Sequence, residues 1–166
     1  MTRSLLADAF EHHVWATLRL IDACAALTPD QLETSVPGTY GSILDTFRHL
    51  VSTDCWYLTF FGDTPQRIEE DSQAGLDELR SAISANGTEW QQLLADGPDS
   101  ERDIVENGDG WNFHSPLGFR LAQVLEHGTD HRSQICTALT SLGIEPPQID
   151  LWAYGEATGR TRPEYL

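Results

Sequence analysis

The sequence predicts an all-α fold, a four-helix bundle with a short extra helix and a loop-rich C-terminal tail. Two observations carry this expectation. Apolar residues recur at three- and four-residue spacing in four long segments, the periodicity of one buried helix face. Residues that start and stop helices also stand at the ends of those segments. A length of 166 residues fits one compact domain over residues 1–166.

The first helix is expected over Leu5 to Leu27, where Leu6, Phe10, Thr17, Leu20, Cys24 and Leu27 form one stripe. His13 falls on the same stripe, an odd place for an imidazole. Thr28-Pro29-Asp30-Gln31 then reads as a capping box with Pro at the first helical position, so a single short turn of helix follows. Residues 35–41, with Pro37-Gly38, read as loop. Ser42 opens the second long helix, with Asp45 as its capping partner. Phe47, Leu50, Val51, Leu58 and Phe61 mark its buried face, and Gly62 closes it. The third helix spans Ser72 to Ala95 and runs through Asn86-Gly87, although Gly in a helix costs about 1 kcal/mol against Ala. Residues 97–115 carry Gly97, Gly108 and Gly110 without a helical period, a loop with room for a short hairpin. Ser115-Pro116 reads as an N-cap followed by Pro. The fourth helix then continues to Leu142, where Gly143 suits a left-handed cap and Pro146-Pro147 forbids extension. In the tail, Trp152, Tyr154 and Tyr165 are expected to pack back onto the helices.

Composition narrows the function. Twenty-six acids against ten bases give a net charge of −16, and every base is Arg. Such a chain lacks the basic patches that neutralise nucleic-acid phosphates or dock on anionic lipid. Its longest apolar run, Ala23 to Leu27, is far below the ~20 residues of a membrane span. Asp8 and Glu11 stand where a signal peptide would be apolar, so a cytoplasmic protein is expected. Cys24, Cys55 and Cys136 contain no CxxC pair and fit a reducing compartment.

The histidines carry the chemistry. In His127-Gly128-Thr129-Asp130-His131, four residues of helix turn roughly 400°, which sets both imidazoles on one face, one turn apart. Two His at this spacing suit one metal ion; the alternative is two histidines satisfied in the core or at the surface. Gly128 leaves space beside them, which reads as room for an ion. A zincin would need Glu after the first His, and here that place is Gly128. The second helix offers His49 as a third donor, on a flank with Asp45, Ser52, Thr53 and Trp56. Three imidazoles with open positions describe a catalytic type of site rather than a closed structural one. Two further residues are candidate substrate-binding groups: Trp56, two turns from His49, and His13 on the interior stripe. Each has a plainer alternative, as a half-buried aromatic and as a core histidine bonded to a neighbour. No catalytic residue is identified.

These residues resemble a known family. Thr46-Phe47-Arg48-His49-Leu50-Val51, followed by Trp56-Tyr57, resembles the first metal motif of the DinB superfamily. The string HGTDHRSQI resembles its second, with Arg132 after His131 and Gln134 two residues beyond. The resemblance spans residues 5 to 143. It implies a metal-binding four-helix bundle, often dimeric, whose ligands to one divalent ion (zinc or nickel) are His49, His127 and His131. Function in that superfamily is diverse, with thiol-dependent isomerases and members of no known activity beside S-transferases. The expectation here is a metal-dependent transferase that adds a low-molecular-weight cellular thiol to a small electrophile. Two alternatives stay open, a non-catalytic metal-binding sensor or interaction module and a metal-dependent hydrolase. A homodimer is expected from the resemblance and from Trp111, Phe113 and Trp152 outside the helix stripes.

Overall fold

The computed structural model describes residues 3–62 and 68–164. These form six helices and one two-stranded sheet: α1 (Ala7–Cys24), α2 (Pro29–Leu32), α3 (Ile43–Leu58), α4 (Leu76–Ala95), β1 (Asp103–Gly108), β2 (Trp111–Pro116), α5 (Leu117–Ser141) and α6 (Leu151–Thr158). The fold is therefore mostly helical, and the expectation of an all-α chain is corrected by a small antiparallel hairpin. Its register runs from Asp103 opposite Pro116 to Gly108 opposite Trp111. Gly110, at φ +78°, supplies the left-handed turn between the strands.

Both predicted capping boxes form. Thr28 Oγ1 accepts from the Gln31 amide while the Gln31 side chain accepts from Thr28, and Ser42 and Asp45 pair in the same way. The third long helix starts at Leu76 rather than Ser72, because Gly75 is extended and its N–H donates to Glu78 Oε2 at 3.0 Å. It runs unbroken through Asn86-Gly87. There a Cβ on Gly87 would come within 3.1 Å of Val14 Cγ1, so the glycine serves the close approach of α1 and α4. The cap of α5 also differs from expectation. Pro116 itself holds the N-cap position, and the Ser115 hydroxyl accepts from Arg120 Nε at 2.7 Å instead. Gly143 closes α5 at φ +73°, with its N–H on Thr140 O and that of Ile144 on Leu139 O, a Schellman pair.

The tail, expected to be loop-rich, holds a helix. Asp150 caps α6 by accepting from the amides of Trp152 and Ala153. Tyr154 is buried and donates to Glu11 on α1, whereas Trp152 is 74% exposed. Tyr165 lies outside the described residues. Half-buried His12 donates from Nε2 to the Ile149 carbonyl at 2.7 Å and ties α1 to the tail.

Helices α1 and α3 each pack against both α4 and α5. The core they enclose is divided. One apolar cluster gathers Leu20, Ile21, Phe47, Leu50, Ile83 and Ile135. The other gathers Phe10, Leu58, Trp90, Leu117, Leu121 and Val124. Between them each helix contributes a buried polar group: His13 and Thr17 on α1, Asp54 on α3, Asn86 on α4 and Arg132 on α5. The three-histidine cluster lies at the level of this polar layer.

Candidate metal centre

His49 stands in the middle of α3, and His127 and His131 lie one turn apart on α5. Packing of α3 on α5 brings them together, with one ligand atom from each ring within 4.8 Å of the other two. His127 Nε2 faces His49 Nε2 at 3.1 Å. Ligand nitrogens about 2.0–2.1 Å from a metal ion are about 2.9 Å apart at right angles and about 3.4 Å apart in a tetrahedron. The observed separation lies inside that interval, so His49 and His127 are spaced as two donors to one divalent ion, with His131 in the same cluster.

Neighbouring groups decide which nitrogens are free to ligate. Glu70 Oε1 lies 2.9 Å from His49 Nδ1. A carboxylate only accepts, so His49 carries its proton on Nδ1 and presents the Nε2 lone pair to the centre. Gln134 does the same for His131. Its amide orientation is fixed from both sides, since Oε1 accepts the Tyr40 amide at 2.8 Å and Nε2 donates to Asp130 Oδ2 at 3.1 Å. Gln134 Oε1 also stands 3.2 Å from His131 Nδ1, which must then donate and leave Nε2 open. Tyr40 covers the cluster, its ring stacked on His49 at 3.9 Å between centroids and edge-on to His131 at 5.6 Å. Its hydroxyl donates to Glu70.

Burial, reinforced by the neighbouring rings of His131 and His49, pulls the His127 pKa down to about 4. Burial likewise lowers that of His131. Both rings are thus neutral at pH 7, the form that binds a metal. Glu70 is held below the usual carboxylate range by the Tyr40 hydroxyl and then by His49, so it is an anion beside the centre.

Trp56 is 41% exposed and lines a cleft of about 360 Å³ with Ser52, Thr53, Ile68, Glu69 and Glu70. Through Glu70 this cleft adjoins His49. His13 lies elsewhere, fully buried beneath the cluster, with Nε2 2.9 Å from Asp54 Oδ2 and Nδ1 2.9 Å from an Arg132 nitrogen. Both ring nitrogens are therefore taken. The space at Gly128, read from sequence as room for an ion, is filled by this ring. A Cβ there would lie 2.3 Å from His13 Cε1 and 2.8 Å from Arg132.

Glu70 and Tyr40 were not foreseen as site residues. Both lie in irregular segments without periodicity, and only the tertiary fold brings them to His49. Gln134 was marked by its place after Arg132, and its contact with His131 follows from their three-residue separation on α5.

Among the described residues no helix is long and apolar enough to cross a membrane. No curated protein matches the chain. The DinB family model matches residues 1–164, nearly its whole length and both histidine motifs. With that match and the three-histidine cluster on α3 and α5, the chain belongs to the DinB family.

Proposed function

We propose that His49, His127 and His131 hold one divalent ion, zinc or nickel, within a four-helix bundle formed by α1, α3, α4 and α5. On this reading the protein transfers a low-molecular-weight thiol onto a small electrophile. The convergence of three imidazoles, two with Nε2 freed by Glu70 and Gln134, carries the reading. When bound, the ion supplies a Lewis acid that favours the thiolate over the thiol. The chain supplies the rest. Glu70 and Gln134 hold two of the imidazoles in orientation, and Trp56 offers an aromatic face in the adjoining cleft for the organic part of a substrate. In the transfer, sulfur bonds to the electrophilic carbon, the leaving group departs with that carbon's electron pair, and the thiol proton passes to solvent.

One observation favours a second reading, a metal-binding module without catalysis. The carboxylates at the edge of the cluster are already engaged, Glu70 with Tyr40 and His49, and Asp130 with Gln134. Neither is a free general base. The same engagement counts against a hydrolase, which needs a base for its water. Metal-loaded protein assayed with a panel of cellular thiols and monochlorobimane separates the readings. A thiol-dependent rise in fluorescence is expected, with release of chloride, and it should vanish in the His127→Ala, His131→Ala double variant. Rates equal to the uncatalysed reaction with every thiol would overturn the transferase.

The exposed aromatics Trp111, Phe113 and Trp152 support a homodimer. Light scattering is expected to give twice 18.5 kDa, and the monomer mass at every concentration would refute the dimer. None of the three cysteines is in a disulfide, which suits a cytoplasmic location.

A further inference from the structure

We propose that the buried Arg132–His13–Asp54 chain is a positioning device for the three-histidine cluster, setting the separation of α3 and α5 at which His49 faces His127 and His131. The proposal rests on the reading that these histidines hold a metal ion. Each member of the chain comes from a different helix: Arg132 from α5, His13 from α1 and Asp54 from α3. Arg132 directly follows His131, and Asp54 lies five residues beyond His49, so the ends of the chain are anchored beside the ligands.

Its bonding admits one arrangement. A guanidinium can only donate, so His13 Nδ1 accepts from Arg132 at 2.9 Å and the ring proton sits on Nε2. That proton is donated to Asp54 Oδ2, again at 2.9 Å. Arg132 also donates to Thr129 Oγ1 at 3.1 Å and lies 3.4 Å from the His13 carbonyl, which fixes the plane of its fork. His13, Asp54 and Arg132 are each at most 3% exposed, so water is not available to replace a bond that lengthens. The His13 ring also seats directly on α5 at Gly128, between the two ligands of that helix. A slide of α5 against α3 that would part His127 from His49 must therefore break a buried charge-assisted bond or drive the ring into the helix. An apolar trio of similar volume would fill the space without opposing that slide, because dispersion contacts have no preferred direction.

The test compares wild-type protein with Asp54→Ala, Asp54→Asn and Gly128→Ala. Zn²⁺ dissociation constants are measured by chelator competition, and the visible bands of bound Co²⁺ report ligand geometry. Asp54→Ala and Gly128→Ala, checked for folding by circular dichroism, are expected to bind Zn²⁺ roughly 10–100-fold more weakly with altered Co²⁺ bands. Asp54→Asn keeps the acceptor for His13 Nε2–H and is expected to stay close to wild type in both measurements. Should Asp54→Ala fail to fold, Gly128→Ala against Asp54→Asn gives the same decision. Folded Asp54→Ala or Gly128→Ala with wild-type affinity and unchanged bands would overturn the positioning role. So would Asp54→Asn as weak as Gly128→Ala, since charge rather than position would then be responsible. Wild-type protein that binds neither ion would overturn the metal reading and this proposal together.

Discussion

Protein in which His127 and His131 are both replaced by Ala is expected to carry no stoichiometric metal, against close to one ion per chain in the wild type. Zinc bound through imidazole and thiolate donors in small domains is worth about 10–16 kcal/mol at neutral pH. Shared among three or four donors, that is roughly 3–5 kcal/mol, or two to four decades in affinity, for each one lost. Removing two leaves His49 alone, and a single imidazole cannot chelate. The fold should survive, because Ala is a strong helix former and neither imidazole belongs to the two apolar clusters. Each single His→Ala variant should already bind far more weakly. The measurement is elemental analysis of protein purified without a histidine tag. Full occupancy in the double variant would place the ion elsewhere.

Acid is expected to strip the ion over a broader range than free imidazole would suggest. An ordinary histidine titrates near pH 6.5, and each ligand that must lose a proton costs up to about one decade of apparent affinity per pH unit below its own pKa. In the folded apo protein burial holds the His127 pKa down at about 4 and lowers that of His131. The His127 lone pair therefore stays available well below pH 6.5. The difference in Tm between loaded and metal-free protein should shrink from pH 7 to pH 5, with the share due to His127 lost only as pH approaches 4. The sign for the fold itself follows from the same shift. The unfolded chain takes up the His127 proton near pH 6.5 and the native state only near pH 4, so this stability is present above pH 6.5 and is lost as pH falls through that window. The metal-free protein should thus also melt earlier in acid. Melting curves of both forms from pH 7 to pH 4 check this, and a gap that stays constant throughout would remove these histidines from the ligand set.

Much of the frame was legible in the sequence because it is encoded locally. Thr28 with Gln31, and Ser42 with Asp45, satisfy the first amides of their helices within three residues, and Gly143 supplies its left-handed cap without help from elsewhere. The spacing of His127 and His131 is likewise a property of one helix. What escaped depends on contacts between distant segments. Glu70 reaches His49 across 21 residues and Tyr40 reaches Gln134 across 94. His13 stood out on its stripe, but its partners Asp54 and Arg132 lie on two other helices. The α6 helix was missed because eight residues give too little periodicity to read, and only Asp150 marked its start.

The division of the core by polar groups also bears on how the helices choose their partners in folding. Leucine and isoleucine faces are tolerant, and one helix can often slide a turn along another with little loss of apolar burial. Here such a slide would carry Arg132 or Asp54 into the apolar cluster above or below. Leaving a buried charge without the partner that satisfies it costs about 3–5 kcal/mol, a large share of the 5–15 kcal/mol that stabilises an ordinary domain. The polar layer therefore acts less as an adhesive than as a proofreading step: it lets many collapsed arrangements form and penalises every alignment but one.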